Sequence, residues 1–228
     1  LDPTALYECL TSLSCIVTQT STGLIVGSLL FLVAAGLTLI FGVLKVINFA
    51  HGSLYMLGAY MALTAFRITD SYILSAVIAG AGVGLFSLFF ERFFMRKVYN
   101  ADVLLQLLVC YAFILILDDA VKIIWGHEFQ SMGMPAAFQA PPLFIAGGIV
   151  PVFYLFMFSA AALIGLVMWY VMTRTRIGKV VRAAAHNPTM TSALGLNTTW
   201  IYAGVFAFGG ALAGLAGALA APVRSMSP

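Results

Sequence analysis

An apolar run that stops abruptly in a short polar word constrains this chain more than any other stretch. Leu24–Leu44 is apolar apart from Ser28 and Thr38. Asn48-Phe49-Ala50-His51-Gly52 follows, and a second apolar run then extends from Ser53 to Phe66. Hydrocarbon offers no hydrogen bonds, so polar side chains and free backbone survive at membrane depth only when buried in protein, lining a wet cavity or sitting at an interface. Broken helices of this kind often form a solute path, which makes Asn48, Phe49, His51 and Gly52 the first candidate path residues. Their plainer role is to stabilise the break through the hydrogen bonds that Asn48 and His51 offer. Direct contact with a substrate is the alternative, and the residues alone leave both open.

Composition supports a bilayer protein. Hydrophobic residues make up 62% of the chain and charged residues 8%, against about 25% charged in soluble domains. Leu24–Leu44 measures about 31 Å at 1.5 Å per residue, enough to cross the hydrocarbon core. Ser53–Phe66 is shorter and needs neighbouring residues, or is a partial span. Tyr72–Phe90, Val103–Trp125, Pro151–Met172 and Trp200–Ala221 complete the series. The expected fold is therefore all-α, a polytopic transmembrane helical bundle of about six spans with a broken-helix segment near 45–52. Trp125, Trp169, Tyr170 and Trp200 lie near span ends, where amphipathic rings favour the headgroup zone.

Charge sets a topology. Arg92, Arg96 and Lys97 form one cluster, and Arg174, Arg176, Lys179 and Arg182 another, each between spans as cytoplasmic loops require. That parity puts the loop 126–150 outside and the break toward the cytoplasmic half. So few dispersed basic residues argue against nucleic-acid binding. Cys9 and Cys15 either pair in an oxidising compartment or, the plainer reading, remain unlinked thiols. Leu1 is not methionine and residues 1–20 hold no Lys or Arg, which argues against a signal peptide there. Asp118 and Lys122 are spaced for an i,i+4 pair near the outer end of the fourth span. With no phosphate-binding glycine loop, zinc motif or nucleophile elbow, the sequence points to no catalysis, no metal and no cofactor in this chain. Energy is expected from another subunit or, in the rival reading of an ion-coupled secondary transporter or channel, from a gradient.

Small residues mark where helices should touch. Gly210, Gly214 and Gly217 recur at spacings of three and four in the last span, as do Gly80 and Gly84 in the third, and small side chains let membrane helices approach closely. Between the last two spans, 173–199 reads as two short helices. Lys179, Arg182 and His186 share one face, and Val181, Ala184 and Ala185 the other. Asn187 suits an N-cap, Pro188 a first helical turn and Gly195 a C-terminal stop. The pair forms a knob suited to a partner, or an amphipathic surface resting on anionic membrane lipid.

Two long words carry a family resemblance. The stretch from Gly36 to Tyr60, GLTLIFGVLKVINFAHGSLYMLGAY, and that from Gly178 to Asn197, GKVVRAAAHNPTMTSALGLN, resemble the inner-membrane permeases of branched-chain amino acid ABC importers. Glu91-Arg92 with Arg96, the Arg174–Gly178 lead-in and the glycine-rich last span extend the likeness over most of 23–222. Ser53, where many relatives carry an acidic residue, and Lys97-Val98, in place of a common Pro-Leu, depart from it. The resemblance implies a multi-pass permease of the bacterial inner membrane, working with a second permease (a paralogue or a copy), two ATPase subunits that carry ATP and Mg, and a periplasmic solute-binding protein. Gly178, Lys179, Arg182, Ala183, His186, Asn187, Pro188, Gly195 and Asn197 would then form the element gripped by an ATPase. The family handles branched-chain and other amino acids, urea, short amides and some aromatic acids, so substrate identity does not carry over. The expected organisation is an N-terminal segment of unassigned structure (1–22), a permease domain (23–222) containing the coupling loop 173–199, and a truncated C-terminal end (223–228), since relatives usually continue further.

Overall fold

Each apolar stretch becomes a helix, and polar side chains set many of the ends. The computed structural model describes residues 7, 9, 11–135, 138, 139, 141–145 and 147–226. The rest of the two terminal segments, and parts of the loop 126–150, lie outside these residues. The elements are α1 (Leu13–Leu44), α2 (His51–Thr69), α3 (Tyr72–Phe90), a π-helical turn (Glu91–Met95), α4 (Arg96–Val98), α5 (Val103–Trp125), strands β1 (Leu143–Ile145) and β2 (Gly148–Val150), α6 (Val152–Arg174), α7 (Arg176–His186), α8 (Pro188–Ala193) and α9 (Thr198–Ala220). The chain is an all-α polytopic helical fold. Four stretches, Leu13–Leu44, Tyr72–Val98, Val152–Arg174 and Thr198–Ala220, are long and apolar enough to cross a membrane by length and composition.

α1 begins well before its apolar run. The Ser12 hydroxyl caps it, accepting from the Cys15 N–H at 3.3 Å. Thr18, Ser21 and Thr22 then donate their hydroxyls to Ser14 or Thr18 carbonyls of the same helix, at 2.9, 2.8 and 2.9 Å, so a polar tract stays helical by satisfying itself. Cys9 and Cys15 are joined by a disulfide, with Cα atoms 5.2 Å apart. This corrects the reading of two unlinked thiols: the chain turns at Ser12, whose N–H reaches the Cys9 carbonyl at 3.1 Å, and brings them together.

Outside the helices, β1 and β2 form an antiparallel hairpin, Leu143 facing Val150, with Gly147 at φ 79 in the turn. The Ile149 N–H donates to the Thr18 hydroxyl at 3.3 Å, tying the hairpin to α1. Gln130 and Met226 exchange backbone hydrogen bonds of 3.0 and 2.9 Å, and so tie the loop to the segment after α9.

α9 is the hub on which α1, α2 and α3 pack. A Cβ at Gly217 would meet the Tyr55 carbonyl, one at Gly214 the Val83 side chain, and one at Gly210 the Ser87 hydroxyl. Gly80 lies against Leu215, and Gly84 against Ala207 and Ala211. Larger groups fill the layers on either side. Phe90 stacks on Phe113 with ring centroids 3.8 Å apart and meets Phe206 at 5.9 Å. Near the other end Tyr72 meets Phe153 edge-on and donates to the Ala218 carbonyl at 3.2 Å.

Candidate functional site

The polar word forms a hinge of irregular backbone between α1 and α2. α1 stops at Lys45, whose φ of 59 turns the chain while its N–H closes on the Phe41 carbonyl at 3.0 Å. The Asn48 carbonyl oxygen of the side chain accepts from the Ala50 N–H at 3.1 Å, a local turn that asparagine forms readily. It also faces the Cys110 thiol of α5 at 3.9 Å. His51 opens α2, and its Nε2 meets the Val33 carbonyl of α1 at 3.1 Å. A Cβ on Gly36 would touch both the His51 ring and the Gly209 carbonyl of α9, so the break is wedged between α1 and α9.

The segment has two sides. Asn48 and His51 are 1% and 3% exposed, while Phe49 and Gly52 face outward. Asn48 Nδ2 and His51 Nδ1 are buried without a partner, an arrangement rare enough in folded proteins to call for a reason. Neither residue lines any of the five cavities described. In this conformation the two polar side chains are covered.

At the other candidate site the loop between α6 and α9 folds back on itself. The Thr175 hydroxyl caps α7 by accepting from Gly178 N–H at 3.2 Å, and Asn187 caps α8 by accepting from Met190 N–H at 2.9 Å. Pro188 takes the first turn of α8, Gly195 follows its end with φ 83, and the Asn197 side chain caps α9 by accepting from Thr199 N–H at 3.1 Å. Gly178 has no room for a side chain, because a Cβ would collide with the Val171 and Met172 carbonyls. Lys179, Arg182, Ala183 and His186 are exposed, whereas Val181 and Ala184 are buried. Met190 and Leu194, 62% and 75% exposed, add apolar knobs beside the cations.

The turn after α3 reaches this loop. Arg96 donates to the Thr199 hydroxyl at 3.3 Å, and the Arg92 guanidinium lies 5.6 Å from the Trp200 ring centroid. Glu91, 1% exposed, accepts from the Tyr99 hydroxyl at 2.8 Å. Burial, and then the Glu91 carboxylate beside it, push the Tyr99 phenol far above the usual tyrosine range, so it remains a donor. The Gln106 amide holds the connecting bend through the Val98 and Ala101 carbonyls, both at 3.1 Å. The sequence marks Arg92 and Arg96 as part of a basic cluster, and Glu91, Arg92 and Arg96 as part of the family likeness. Thr199 and Trp200 lie more than a hundred residues further on, beyond the reach of spacing, and the nearer Glu91–Tyr99 pair spans the π-helical turn, which no spacing signals.

The family described as branched-chain amino acid transport system / permease component matches residues 19–228. The chain is 29% identical over 212 residues to the high-affinity branched-chain amino acid transport system permease protein BraD of Pseudomonas aeruginosa, covering 88% of this chain and 69% of that protein. It is 28% identical over 216 residues to the corresponding permease protein LivH of Escherichia coli K12, with the same two coverages. The probable branched-chain amino acid transport permease protein LivH of Methanocaldococcus jannaschii is 28% identical over 211 residues, covering 90% of this chain and 66% of that one. No solved structure gives a significant match. With its long apolar helices and a match over most of its length, the chain belongs to the branched-chain amino acid transport permease family and is a multi-pass membrane protein.

Proposed function

We propose that this chain is the transmembrane permease subunit of an ATP-driven importer for branched-chain or other amino acids, or for related small solutes such as urea, amides and carboxylates. Its helices α1, α2, α3, α5, α6 and α9 are the six spans, in a bacterial inner membrane. It pairs with a second permease, a paralogue or a copy, and receives solute from a periplasmic binding protein. ATP and Mg belong to two separate ATPase subunits. The observation that carries this reading is the capped α7–α8 knob, which presents Lys179, Arg182 and His186 beside the exposed Met190 and Leu194. A mixed cationic and apolar projection on a loop between membrane helices is suited to seat in a soluble partner.

The mechanism follows from the packing. An ATPase gripping α7–α8 moves the start of α9, because Asn197 caps that helix directly after the knob. α9 carries α1, α2 and α3 on its small-residue faces, so its motion opens or closes the bundle as a body. The break at Asn48–Gly52 then borders the solute route. Asn48 Nδ2 and His51 Nδ1, which lack partners here, supply hydrogen-bonding capacity that a polar solute or water takes up when the helices part.

The test is the Arg182→Glu variant in the complete complex. The expected result is loss of ATPase subunits on purification, or hydrolysis no longer stimulated by substrate. Retention of both would show that the ATPase grips elsewhere, and a complex that imports solute with no ATPase chain would establish the gradient-driven alternative.

A further inference from the structure

The larger cavities at the helix surfaces, of about 640 and 840 Å³, are walled almost entirely by apolar side chains. A smaller one differs. It holds about 220 Å³ where α2 meets the end of α9, and its wall includes Tyr55, Tyr60, Ala220, Arg224 and Ser225. Tyr60 is fully buried, yet its hydroxyl has no hydrogen-bond partner. Its ring is held 5.4 Å from that of Trp125, and Trp125 is itself fixed by a 2.8 Å hydrogen bond to Thr64. At the mouth Arg224 is exposed, and no side-chain hydrogen bond or ion pair occupies its guanidinium among the described residues. The backbone around it is fixed: Arg224 N–H bonds the Ala220 carbonyl at 3.0 Å, and Met226 pairs with Gln130.

We infer that this cavity is a binding site for a small aliphatic solute bearing a carboxylate, with Arg224 receiving the carboxylate and the Tyr60 and Ser225 hydroxyls completing its hydrogen bonds. The volume lies below the roughly 300–1,000 Å³ of sites for drug-sized molecules and suits a solute of amino-acid size. A planar guanidinium matches a carboxylate with two parallel bonds, and an orphan hydroxyl in a covered wall is satisfied by the same oxygen atoms. Met56, Ala59 and Ala221 leave an apolar surface for a branched side chain. The site lies on the same helix as the break, since α2 runs from His51 through Tyr55 and Tyr60. The inference rests on the transport reading above and gives it a recognition step in the permease itself.

The experiment reads occupancy without relying on uptake. Met56→Cys, on the apolar wall of the cavity, is introduced together with Cys110→Ala, the native Cys9–Cys15 pair being a disulfide, and labelling by a water-soluble thiol reagent is timed in the full permease complex in proteoliposomes. Leucine is expected to slow labelling, and leucinamide, which lacks the carboxylate, is not. Adding Arg224→Gln should raise the leucine concentration for half-protection about tenfold or more, the effect of losing one charge-assisted contact, while Arg224→Lys restores part of it. Tyr60→Phe should produce a smaller shift. Equal protection by leucinamide, or protection unchanged in Arg224→Gln, would overturn the assignment. Leucine uptake by the wild-type complex without any protection would overturn the site and leave the transport reading standing. Protection without uptake of any aliphatic amino acid would do the reverse.

Discussion

α6 and α9 are both 23 residues long and both apolar, yet they occupy opposite situations. In the most apolar stretch of α9, 72% of residues are buried, against 17% in α6. Hydrophobicity does not separate them, because lipid is as apolar as either. Side-chain size does. α9 turns Gly209, Gly210, Ala213, Gly214 and Gly217 toward its neighbours, so that backbones meet. α6 displays Leu163, Leu166, Val167, Trp169 and Tyr170, all more than half exposed. In a bilayer the centre of a bundle belongs to the helix that leaves room for others.

The largest test of that contrast is Gly217→Leu, whose Cβ would fall on the Tyr55 backbone carbonyl, an atom that cannot swing aside. Overpacking of this kind costs about 1–3 kcal/mol or more, and thermal unfolding of the detergent-solubilised protein should register it. Gly204→Leu on the same helix is the control, because nothing lies within 4 Å of its Cβ position. Equal damage at both sites would mean that contact with neighbours does not set the position of α9.

A middle-sized effect is expected with opposite sign. The Ser87 hydroxyl is buried against Gly210 without a hydrogen-bond partner. Ser87→Ala removes an unsatisfied group and a tight contact together, and should stabilise the protein by about 1 kcal/mol. A loss of stability in the same melt would indicate that the hydroxyl has a partner in the membrane. The smallest effect belongs to α6. Leu166→Ala, at a residue 63% exposed, should change stability by less than about 0.5 kcal/mol in the isolated chain. A clear drop that appears only in the assembled complex would identify this face of α6 as a contact with another subunit.

What the sequence made legible was local. Apolar run lengths located the long helices, and Asn187-Pro188 and Gly195 marked the ends of α8 because a cap is a contact within a few residues. The polar tract of residues 18–22 concealed the first turns of α1, since hydroxyls in it bond to the helix's own carbonyls and no hydrophobic pattern records that. The hairpin 143–150 was hidden in a loop rich in glycine and proline. It depends on docking to Thr18, more than a hundred residues away. Asn48 and His51 stood out as polar residues in an apolar setting, but whether they were wet or covered depended on distant partners, Cys110 of α5 beside Asn48 and Gly36 of α1 against the His51 ring. The Arg224 cavity had no sequence signature, because α2 and the end of α9 meet only in the fold.

The wide turn at Glu91–Met95 gives the C-terminal end of α3 a change of phase. A π-helical turn takes up about one residue more than an α-helical one, so all that follows is rotated by roughly 100° around the axis. That rotation aims Arg96 at Thr199 and brings Tyr99 edge-on to Tyr202. Deleting one residue from the turn would let it close as an ordinary α-helical turn with both groups still facing the same way, whereas drawing all of its residues into α-helical pairing would lengthen the helix by only about 1.5 Å and swing both groups more than a quarter of the way round. The helix behaves here like a screw thread with one slipped pitch, in which direction is far more sensitive than length.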